Sequence, residues 1–152
     1  MSTEISRSCA ALLLADALPR MVLPAMDVTT SFWLLLAITL TLLGVALVSG
    51  LRRKRRLHLW AGPATLLSLT VTIWLAEQLG RRYLFPPEPM RIHLVFAISG
   101  GCLAALVGIT GLLLWRSGRW RRLHRWTVFT FVAVALVATG TGVWIWSLAV
   151  PR

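Results

Sequence analysis

Residues 92–115 read IHLVFAISGGCLAALVGITGLLLW, with no Asp, Glu, Lys or Arg among them. Wound as an α-helix at about 1.5 Å per residue, such a run crosses the roughly 30 Å hydrocarbon core of a bilayer. Residues 32–49, 59–79 and 126–148 have the same character, with Glu77 as their one internal charge. None shows the ten-residue alternation of a membrane barrel. The fold class predicted is therefore all-α: an integral membrane four-helix bundle. Short connections, 50–58, 80–91 and 116–125, make successive helices antiparallel neighbours.

Composition excludes other classes. The 152 residues are 57% apolar and 14% charged, outside the range of soluble globular chains. The formal charge is +11, and fifteen of the sixteen cations are arginine. In a soluble chain this balance would suggest nucleic acid, but the apolar runs are too long and the cations too localised, so no nucleic-acid partner is expected. Cys9 and Cys102 sit in unlike surroundings and imply no disulfide framework.

Cation placement predicts orientation. Arg52, Arg53, Lys54, Arg55 and Arg56 fill the first connection, and Arg116, Arg119, Arg121, Arg122 and Arg125 the third, with no acid in either. Both face the cytoplasm under the positive-inside rule, which leaves the two termini outside a multi-pass protein of the cytoplasmic membrane. Residues 1–30 form an outer tail. Asp16 and Pro19 interrupt its apolar segment and only Arg7 precedes it, which favours an interfacial segment over a cleaved signal peptide. Residues 31–152 form the four-helix domain. Pro86, Pro87 and Pro89 predict a stiff outer loop.

The most informative pattern is a duplication. Arg55-Arg56-Leu57-His58-Leu59-Trp60 recurs 66 residues later as Arg121-Arg122-Leu123-His124-Arg125-Trp126. Both copies end a basic loop and open an outward-running helix, so two parallel hairpins with pseudo-two-fold symmetry follow. His58 and His124 then lie at equal depth near the cytoplasmic face. If both turn to the axis they can supply the two axial ligands of a haem b iron. Gly62 and Thr65, on the helical face of His58, are small enough to admit a macrocycle, and Phe131 lies on the face of His124. Arg56 and Arg122 suit its propionates. The plainer reading of a membrane-boundary His beside Arg and Trp is an amphipathic anchor.

His93 opens the third helix at the outer side. With Met90, and with Met26 and Met21 of the tail, it offers a donor set suited to a soft copper ion. Under the 66-residue offset its counterpart is Asp27, a hydrogen-bonding partner in waiting. Gly100, Ala104 and Gly108, with Ala138 and Gly142 of the fourth helix, form small-residue seams for helix packing. Glu77 reads as an interfacial acid paired with the next arginines. No phosphate loop, metalloprotease motif or Ser-His-Asp set is present in the sequence, and no covalent catalysis is expected.

From Leu23-Pro24 onward the chain resembles the small four-helix membrane family catalogued as domain of unknown function 420, which includes the CtaM-like assembly factors of haem-copper oxidases. The resemblance rests on that Leu-Pro, the basic turn ending in Leu57-His58, Phe85 and Arg91 of the outer loop, His124 with Arg125-Trp126-Thr127, and Thr141-Gly142-Val143. It implies a role in maturing or supporting cytochrome oxidase, with subunits of that complex as partners beside membrane lipid. It departs from the family at Ser99-Gly100-Gly101, where a deeper histidine is expected. The layout is also similar to transmembrane b-type cytochromes, which use four histidines for two haems where this chain has three. A haem-binding protein of oxidase assembly or electron transfer is the expectation, and its rival is a cofactor-free accessory subunit of a larger membrane complex.

Overall fold

A computed structural model describes residues 27–152. The chain runs α1 (Val28–Leu51), α2 (Arg55–Arg82), β1 (Tyr83–Leu84), α3 (Pro87–Arg116), a 3-10 turn (Gly118–Trp120), α4 (Arg121–Trp146) and β2 (Val150–Pro151). The four helices pack as a bundle, and each is long and apolar enough to cross a membrane. Large apolar side chains such as Leu67, Val95, Ile98 and Leu112 stand exposed around it, as lipid contact requires.

The helices overrun the apolar runs at nearly every end. At the outer connection the reason is proline chemistry. Pro86 adopts extended angles at the N-cap and Pro87 and Pro89 enter the first turn of α3. There the missing amides are ones a helix start leaves unpaired in any case. The expected stiff loop of 83–89 is therefore a two-residue strand and two connecting residues, with its last three residues already in the helix. The inner turn of the first hairpin is three residues long, and Arg53 takes φ 55 to reverse the chain. Lys54 N–H donates to the Ser49 carbonyl at 2.8 Å, closing that turn. The second hairpin turns through extended Ser117 and the 3-10 segment instead.

Packing is strong within each hairpin, α1 with α2 and α3 with α4, and sparse between them. In the first hairpin a polar knot replaces hydrophobic drive. Thr39 Oγ1 lies 2.6 Å from Ser68 Oγ and 3.0 Å from Thr72 Oγ1. Thr39 and Thr72 are buried, so each hydroxyl finds its partner inside protein. In the second, Gly100 lets Val134 approach, and Gly108 admits Leu66 from across the seam. The small-residue row is thus only partly a packing seam: Gly101, Ala104, Ala105 and Gly108 line an open groove facing Leu66 and Leu69.

At the end opposite the two basic turns the hairpins are clasped. β1 pairs antiparallel with β2, Tyr83 opposite Pro151 and Leu84 opposite Val150. Arg152 N–H donates to the Arg82 carbonyl at 3.0 Å. Trp146 bridges Trp33 and Tyr83, with ring centroids at 5.7 and 4.9 Å. Asp27 lies 3.7 Å from Arg82.

Candidate functional site: the paired histidines

His58 sits in the first turn of α2 and His124 in the first turn of α4, where the duplicated hexapeptide puts them. Their rings meet across the sparse seam with centroids 6.3 Å apart and planes at 78°. Both are partly buried.

Each ring is held by its Nδ1. His58 Nδ1 donates to the Ala46 carbonyl at 2.9 Å, a carbonyl that also accepts from Ser49 Oγ. His124 Nδ1 lies 3.0 Å from Thr110 Oγ1. The Thr110 hydroxyl hydrogen is already directed to the Leu106 carbonyl at 2.7 Å. Thr110 Oγ1 therefore accepts, and His124 Nδ1 carries the proton. In both imidazoles Nε2 is left with its lone pair, the arrangement that orients ligating histidines in metal sites.

A glycine makes room for each ring. A Cβ on Gly50 would stand 3.2 Å from His58 Cε1 and Nδ1, and one on Gly111 3.5 Å from His124 Cε1. His93 repeats the device at the opposite end of the bundle. Its Nδ1 is 3.1 Å from Thr141 Oγ1, which donates to Val137 O, and a Cβ on Gly142 would meet its Cε1 at 3.2 Å. Gly50, Gly111 and Gly142 thus each make room for a histidine ring; Thr110 and Thr141 place a hydroxyl on Nδ1 of His124 and His93, and for His58 the Ala46 carbonyl takes that part. Sequence reading placed Gly142 in a packing seam and passed over the others. The signal was present as an Ser/Thr-Gly pair on the antiparallel neighbour of each histidine.

The remaining candidates are distributed as follows. Thr65 is buried with its hydroxyl on the Ala61 carbonyl. Gly62, one turn from His58, opens onto free space. Phe131 is buried in α4. Arg56 and Arg122 are exposed beside the pair, and neither enters an ion pair among the described residues. Met90 is partly buried three residues before His93, while Met21 and Met26 lie outside the described residues. No group of three or more His, Cys, Asp or Glu converges among the described residues. Asp27 turns to Arg82, so His93 has Thr141 for its partner and not Asp27. Glu77 pairs with Arg81 at 2.8 Å, as expected of an interfacial acid.

No family model, no curated protein and no solved structure matches the chain.

Proposed function

We propose that this is a haem-binding protein of the cytoplasmic membrane, with both termini outside, that holds one b-type haem between His58 and His124 and acts in respiratory-oxidase assembly or electron transfer. One observation carries the reading: two imidazoles with Nδ1 engaged and Nε2 lone pairs free face each other at 6.3 Å across the least packed seam of the bundle. His58 and His124 are the residues that would hold the haem iron.

The residues present fit the group. The thin contact between the hairpins and the two facing imidazoles support this reading, and Arg56 and Arg122 offer paired donors to carboxylates. When bound, the haem would supply the one-electron chemistry. The protein's own part is to hold and orient the two imidazoles. The oxidase role rests on the family resemblance.

The absorption spectrum of the detergent-purified chain tests the proposal. A Soret band present in the parent and lost in both His58→Ala and His124→Ala is expected. A colourless, folded protein that co-purifies with other membrane subunits would overturn it and favour the accessory-subunit reading. The outer copper site is a separate proposal: metal retention lost in His93→Ala and Met90→Leu would support it.

A further inference from the structure

The charges of the described residues are sorted by end. Their acids are Asp27, Glu77 and Glu88, all at the outer end and each beside an arginine: Arg82 at 3.7 Å, Arg81 at 2.8 Å and Arg91 at 3.4 Å. The other end carries Arg52, Arg53, Lys54, Arg55 and Arg56 from one turn and Arg116, Arg119, Arg121, Arg122 and Arg125 from the other. All ten are exposed, and none is ion-paired among the described residues. Ten like charges on a low-dielectric body repel one another, and a surface that concentrates them attracts anions.

The source of those anions is indicated by depth. Trp60, Trp115 and Trp126 stand at the same end with 81%, 73% and 62% of their surface exposed. Tryptophans exposed at the ends of apolar spans mark the headgroup layer. Arg119 lies over the Trp120 ring, 5.4 Å from its centroid, which holds that guanidinium at the same level. Long cationic side chains there reach into the headgroups while their stems stay in the apolar region.

We propose that the two basic turns together form a docking surface for anionic phospholipids, with Arg53, Lys54, Arg116 and Arg119 gripping headgroup phosphates. Guanidinium forks match phosphate oxygens two at a time, and an anionic leaflet attracts each added cation. This surface is independent of the histidine pair.

The test uses the full chain in micelles containing phosphatidylcholine and phosphatidylglycerol in equal amounts, with retained lipids counted by native mass spectrometry. One variant combines Arg53→Gln, Lys54→Gln, Arg116→Gln and Arg119→Gln. A second combines Arg81→Gln and Arg91→Gln at the outer end. Helical circular dichroism confirms folding, and the four single substitutions are read in the same assay so that a graded loss is measurable. The parent and the outer variant should retain phosphatidylglycerol several-fold over phosphatidylcholine, the inner variant should fall to near parity, and inorganic phosphate should not compete. Equal retention of the two lipids by the parent, an undiminished preference in the inner variant, or displacement by inorganic phosphate would each overturn the proposal. The last would mark a soluble-anion site, and a preference for an acidic protein over the lipid would mark a protein interface.

Discussion

The backbone of Gly50 lies against the edge of the His58 imidazole, so that a methyl group on Gly50 would stand 3.2 Å from two ring atoms. Between Gly111 and His124 the same gap is 3.5 Å, an ordinary contact. Gly50→Ala should push the His58 ring by a few tenths of an ångström and strain its bond to Ala46, at a cost of about 1–3 kcal/mol typical of overpacking. Gly111→Ala should be nearly silent. Thermal unfolding in detergent compares them, and an equal loss in both would refute the assigned contacts.

Thr110 fixes His124 by accepting from Nδ1 while donating to its own helix. Thr110→Val keeps the shape and removes the acceptor, so the ring loses its orienting bond. If the pair ligates haem, affinity should drop about 10–100-fold, the usual effect of deleting an orienting partner. Thr110→Ser should restore it. Haem titration followed at the Soret band reads both variants.

Thr39, Ser68 and Thr72 tie α1 to α2 through hydroxyls alone. Interhelical hydrogen bonds of this kind contribute about 0.6 kcal/mol on average and up to about 1.7. Thr39→Val removes two at once, which predicts a loss of about 1 kcal/mol by reversible unfolding in mixed micelles. Any cofactor spectrum should be unchanged, since the knot begins nearly three helical turns from His58 along α2.

Trp146 packs on both Trp33 and Tyr83 at the clasped end. Each aromatic pair adds about 0.5–1.5 kcal/mol beyond its burial. Trp146→Ala should therefore lower the unfolding midpoint and speed hydrogen exchange of the Leu84 and Arg152 amides, which the strand pairing and the bond to Arg82 protect. Exchange at the parental rate would show that the strand pairing holds without the aromatic bridge.

Much of the architecture was legible because a membrane reduces the rule to length and apolarity. Four runs give four helices, and R-R-L-H-x-W at a 66-residue offset puts His58 and His124 at matching places. Helix ends were less legible, since Pro87 and Pro89 suit a helix start as well as a loop. The glycines beside the rings were hidden by register. The offset maps Gly50 onto Arg116, yet His124 rests on Gly111, because a three-residue turn in one hairpin is replaced by Ser117 and a 3-10 segment in the other. The same offset suggested Asp27 for His93, and the packing of α3 on α4 gave it Thr141.

The clasp of β1 on β2 has a mechanical result. Chain connectivity and the strand pairing both join the hairpins at one extremity, as a rivet joins the arms of tweezers. Thermal spreading of the arms is therefore smallest at Tyr83 and largest at the tips, where His58 and His124 stand, and a guest wedged between those tips would gain leverage over the whole barrel length of the molecule.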